Sequence, residues 1–133
     1  MENIETIKYD NQIIAIIIYN NYNSQGTEFF TPGDFSQQLA SISRKTGETI
    51  RAHTHNIVKR DINLTQEVLF IKKGKLRVDF YNKEKKYLES RTLSVGDTIL
   101  LASGGHGFEA LEELEMIEVK QGPYLGDQDK TVF

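Results

Sequence analysis

The chain has 133 residues, one domain's worth of polymer and enough to bury a core without disulfides or a structural metal. Sixteen Lys and Arg against nineteen Asp and Glu leave a formal charge of -3, with no basic stripe, so nucleic acid and anionic membrane surfaces are poor partners. No cysteine is present, which excludes disulfide frameworks, thiol catalysis and zinc-ribbon sites.

The amino terminus, Met1 to Lys8, lacks the basic-then-apolar order of a signal peptide. The most apolar run, Ile13 to Tyr19, is far shorter than the roughly 20 residues of a spanning helix. A cytoplasmic location is therefore the expectation. Gln12 to Tyr19 is apolar on both parities and predicts a strand covered on two faces. Asn20 to Gly26 is a polar loop, and Thr31-Pro32-Gly33-Asp34 is a turn. Gln37 to Arg44 predicts a strand, Lys45 to Glu48 a turn, and Thr49 to His55 a continuing strand, before an irregular charged stretch to Leu64.

Thr65 to Lys72 predicts a strand, Lys73-Gly74 a tight turn, and Leu76 to Tyr81 its hairpin mate. Leu76, Val78 and Phe80 alternate with Arg77, Asp79 and Tyr81, a period of two with one wet face. Further strands are predicted over Tyr87 to Leu93, Thr98 to Ala102, His106 to Ala110 and Leu114 to Gln121. Glu109 to Glu118 is rich in good helix formers, but the parity of Ile117 and Val119 favours a strand. The tail from Gly122 is polar and is expected on the surface. About nine short strands with tight turns predict an all-β fold, either a closed barrel or a two-sheet jelly roll. One domain is expected over residues 1–133, with a core over about 37–121 and the strand at 12–19 at the edge or in a dimer interface.

The chemistry concentrates in three histidines, His53, His55 and His106. Residues i and i+2 of a strand share a face, so His53 and His55 would stand side by side, as a strand offers ligands to a metal ion. Glu67 sits among Val68, Leu69, Phe70 and Ile71, where an unpartnered carboxylate is costly and a metal would relieve it. His106 follows Gly104-Gly105, glycines that let backbone approach closely.

Gly47, His53-Thr54-His55, Glu67 and Gly74 together resemble the first motif of the cupin superfamily. Gly96, Ala102, Ser103, Gly104 and His106 resemble the second, so the likeness runs from Gly47 to His106. It departs from the family in three places. Eleven residues, Asn56 to Gln66, separate His55 from Glu67 where the family has far fewer, and these are expected to form a loop at the barrel mouth. Ala102 stands in place of a proline, and the stretch from Gly104 to His106 is one residue short. The resemblance implies a double-stranded β-helix, the cupin jelly-roll barrel. It also implies that His53, His55, Glu67 and His106 ligate a divalent transition metal (Fe, Mn, Ni or Zn) at the barrel mouth.

Around that centre, Arg51 shares the parity of the two histidines, and an inward guanidinium needs an anion. Phe108 shares the parity of His106 and could wall a pocket; Gln121 shares that of Ile117 and Val119 and could be an inward polar group. The expectation is a metal-binding protein acting on a small polar, carbohydrate-type anionic metabolite, as an oxygenase, isomerase or lyase. Two alternatives stand beside it. One is a metal-free enzyme like the sugar-nucleotide epimerases and ketoisomerases, with His53 and His55 as acid and base. The other is a ligand-binding protein without turnover. A homodimer is expected, because Gln12 to Tyr19 offers apolar side chains to two faces and one barrel has a single interior.

Overall fold

The computed structural model describes residues 3–133. Ten strands follow one another: β1 (Ile4–Tyr9), β2 (Gln12–Ile18), β3 (Thr27–Phe29), β4 (Ala40–Ile42), β5 (Glu67–Lys73), β6 (Leu76–Tyr81), β7 (Tyr87–Leu93), β8 (Thr98–Leu101), β9 (Gly105–Ala110) and β10 (Glu115–Lys120). A short 3-10 turn over Gly126–Asp129 lies in the tail. Among the described residues no helix is long and apolar enough to cross a membrane.

The fold is all-β, as the turn chemistry and the β-branched runs predict. Two antiparallel sheets form its body, one in the order β1-β2-β8-β5-β10 and the other in the order β7-β6-β9. A two-stranded ribbon of β3 and β4 makes a third sheet, and none of the three closes into a barrel.

Burial follows parity on both main sheets. Ile17, Ile99, Leu69 and Ile71 on the larger sheet meet Leu76, Val78, Phe80 and Leu93 on the smaller, all nearly or fully buried in one core. The alternation of Leu76, Val78 and Phe80 thus predicts its buried face correctly. The reading of β5 and β6 as a hairpin does not hold. β5 pairs with β8 and β10, while β6 pairs with β7 and β9, so Lys73-Lys75 carries the chain from one sheet to the other. Gly74 makes that crossing possible. It has φ +83°, and a Cβ there would lie 2.1 Å from the Glu113 carbonyl oxygen in the turn between β9 and β10.

The strand at 12–19 does not sit at an edge. β2 lies between β1 and β8, and its outward Ile16 is buried beside the outward Leu100. Residues 30–39 lie over that face: Ser36 and the Gln37 amide both donate to the Gln66 side-chain oxygen, and Phe30 and Leu39 line one cavity with Ile18 and Thr98. The second apolar face is therefore covered from within the chain.

The larger correction concerns Thr49 to His55. Residues 43–64 carry no strand pairing and are exposed throughout. A strand needs a neighbouring ladder, and of residues 49–55 only Ile50 and Ala52 are apolar, so the segment has little to bury by itself.

Candidate functional site

Two sides of the β-sandwich differ. Along one, edge strands β1 and β7 are pinned together: Arg91 on β7 donates Nε to Glu5 Oε1 at 2.9 Å and Nη2 to Glu5 Oε2 at 2.8 Å. Along the other, among the described residues, β9 pairs only with β6 and β10 only with β5, and the turn at 111–114 connects the two. At the end away from that turn lies a mouth between the start of β9, the start of β5 and the tail.

Polar residues with inward parity gather at this mouth. Glu67 opens β5 and pairs in register with Lys120, and Glu118 pairs with Leu69, so Met116, Glu118 and Lys120 face the same way as the inward Glu67, Leu69 and Ile71. On the opposite sheet His106 pairs with Phe80 and Phe108 with Val78, giving both the inward parity. His106 Nε2 stands 3.8 Å from Glu67 Oε1 across the gap between the sheets. The two side chains are 28% and 14% exposed, so both are largely withdrawn from water. A cavity of about 680 Å³ opens beside them, lined also by Tyr81, Lys120, Asp129 and Phe133. That volume lies within the range of small-molecule sites.

The tail lies on the surface, as expected, and makes contacts at the mouth from there. Asp129 accepts a hydrogen bond from Thr65 and lies 3.6 Å from Lys120 Nζ. Phe133 packs edge-on against Tyr81, their ring centroids 5.1 Å apart. A Cβ at Gly104, which has φ +71°, would meet the Tyr81 carbonyl oxygen at 2.4 Å, so the glycine lets β9 start tightly against the end of β6.

Burial sets the electrostatics. Loss of water pushes the Glu67 carboxyl up to about 7, and the neighbouring Glu118 carboxyl, within hydrogen-bonding reach, pushes the same way against the pull of Lys120. Burial also holds the His106 imidazole below its ordinary value, with Glu118 opposing that shift. Each group thus favours its uncharged form.

The four residues expected to share one metal divide into two pairs. Glu67 and His106 meet at the mouth. His53 and His55 lie side by side, ring centroids 5.2 Å apart, on the exposed segment, and His53 Nδ1 donates to the Arg51 carbonyl at 2.8 Å. Among the described residues no group of three or more His, Asp or Glu side chains lies close enough together to hold a metal ion. Arg51 is exposed beside the histidines. Phe108 takes the expected face with His106, their rings 5.2 Å apart. Gln121 lies one residue beyond β10 on the parity of Ile117 and Val119, and that parity faces outward, so Gln121 is no inward group. Its amide extends the ladder to the Gln66 carbonyl.

Glu118 and Lys120 were missed for the same reason. The apolar Ile117 and Val119 look like the buried parity of β10, yet both are exposed. The usable signal was the alternation Met116, Glu118, Lys120 opposite an inward Glu67, which marks a strand whose inner face runs from core to polar mouth.

No family model, curated protein or solved structure matches the chain.

Proposed function

We propose that the protein binds a small polar metabolite of carbohydrate type in the mouth between β5, β9 and β10 and moves a proton on it, as a metal-free isomerase or epimerase. The observation that carries this reading is the Glu67–His106 pair, a carboxyl and an imidazole 3.8 Å apart on opposite sheets beside a cavity of about 680 Å³. Two groups that close can touch neighbouring atoms of one bound molecule, one giving a proton where the other takes one. Their environment supports the roles: desolvation favours a protonated Glu67 and a neutral His106, an acid and a base at the same pH. Lys120 and Tyr81 supply a cation and a phenol at the rim for anionic or hydroxyl groups of the ligand. The likeness of the histidine and glycine pattern to cupins agrees with a ligand held in the mouth of a β-fold.

The test is solvent-proton exchange. The protein is incubated in D2O with a panel of phosphorylated and nucleotide-linked aldoses and ketoses, and each sugar is weighed by mass spectrometry. Deuterium incorporation into a sugar carbon is expected, reduced at least about 100-fold by Glu67→Gln or His106→Ala. Binding without exchange would leave a ligand-binding protein without turnover. Stoichiometric transition metal in protein purified without tag or chelator would replace this reading with the metal centre that the cupin resemblance implies.

A further inference from the structure

We infer that two copies of this chain close each other's mouth: residues 49–64 of one copy, bearing His53 and His55, lie along the vacant edges of β9 and β10 of the other. The inference rests on the reading of the mouth as the site for what the histidines do there, but not for the exchange itself.

Three observations meet. The first is a segment without a surface. Residues 43–64 form no strand, and Ile50, Ile57, Val58, Ile62 and Leu64 are all exposed, Ile57 completely. Five aliphatic side chains left in water over fifteen residues are a contact seeking its other half.

The second is a surface without a cover. Among the described residues β9 and β10 each present one edge with no ladder partner, flanking the same gap. Unpaired strand edges are templates for another strand. Phe108 has the inward parity of the fully buried Val78 and Phe80, yet is 41% exposed because nothing closes the gap beside it. On the outward parity of the same margin Phe70, Ile117 and Val119 are exposed as well.

The third concerns reach. Both roots of the segment are fixed on the outer side of the five-stranded sheet, where β4 pairs with β3 and where Gln66 is held by Ser36 and Gln37. In the single chain only the end of the segment, Asn63 and Leu64, comes to the mouth beside β9, while residues 49–60 stay exposed. A second copy supplies the missing ladder, and two-fold symmetry satisfies both segments and both edges at once. The exchange also brings the His53–His55 pair toward the Glu67–His106 pair, so a complete site holds residues from both chains.

Sedimentation velocity at micromolar concentration is expected to give a dimer. Ile57→Asp is the decisive variant, because a fully exposed residue tolerates a charge in the single chain and resists it only when covered. Its dimer is expected to dissociate at least about 10-fold more readily, with an unchanged far-ultraviolet spectrum. Exchange is separated from closure within one chain by cross-linking, since the chain has no native cysteine. Ala52→Cys and Glu109→Cys placed on separate chains and mixed with a short bismaleimide are expected to give a covalent heterodimer. A monomer in sedimentation, a dimer unaffected by Ile57→Asp, or a double variant cross-linked only within one chain would each overturn the inference. None of these results depends on proton exchange with sugars, so the exchange of segments and the proton chemistry fail separately.

Discussion

The two margins of the β-sandwich are handled in opposite ways. At β1 and β7 a doubly hydrogen-bonded Arg91–Glu5 pair ties sheet to sheet, Glu89 adds a second carboxylate to Arg91 at 2.7 Å, and Tyr19 donates to Glu5 at 2.8 Å. At β9 and β10 the sheets meet near the mouth through the looser Glu67–His106 contact at 3.8 Å, and the inward residues turn from apolar to titratable. A sandwich must exclude water to have a core, but a site must admit a ligand, and the chain assigns each requirement to its own margin. The guanidinium holds the Glu5 carboxyl below the usual range, in keeping with a permanently charged structural pair. Glu67 is shifted the other way by burial.

The sharpest way to break this comparison uses two phenylalanines of one inner face. Phe80 is fully buried, and Phe80→Ala should cost about 3–5 kcal/mol in urea unfolding. Phe108, with the same parity beside the gap, should cost less than about 1 kcal/mol under conditions that keep the chain monomeric. Equal losses would mean that the β9–β10 margin is as dry as the core. The next effect is Arg91→Ala, which strands Glu5 in a partly buried place; about 1–2 kcal/mol is expected, because both side chains keep some contact with water. A loss within error would show that packing alone holds the closed margin.

The smallest of the three is a pH effect at the open margin. A carboxyl whose folded value is raised stabilises the fold below its unfolded value and loses that contribution as pH rises through the folded one. The native chain should therefore lose stability relative to Glu67→Gln as pH climbs from about 4.5 to about 7, by roughly 1–3 kcal/mol in all. The His106 shift has the opposite sign, with stability lost as pH falls below the ordinary imidazole value, and it is present in both chains. A flat difference between the two chains would place Glu67 in water.

Much of the fold was legible because its signals are local. The period of two in Leu76 to Tyr81, the turn at Gly74 and the doubly apolar Ile13 to Ile18 each specify a strand and its buried face. Sheet membership was not legible. Lys73-Gly74 between two strands looks like a hairpin, and only the packing of Gly74 against Glu113 tells a crossing from a turn-back. β1 escapes a sequence reading because half of Ile4 to Tyr9 is polar or charged (Glu5, Thr6, Lys8) and the strand finds its register only against β2. At the site, His106 and Phe108 share their face as expected, since both stand on a paired strand. His53 and His55 do not reach them within one chain, because the strand that would carry them lacks a neighbour, a fact that lies beyond any single segment.

The most direct test of the account follows the side-chain carboxyl carbon of Glu67 by carbon-13 NMR from about pH 4 to about pH 9. A midpoint near 7, moving when His106 is replaced by Ala, is the expected result for a desolvated acid facing an imidazole across the mouth. A midpoint at the ordinary glutamate value, indifferent to His106, would mean a hydrated carboxyl and no acid–base pair.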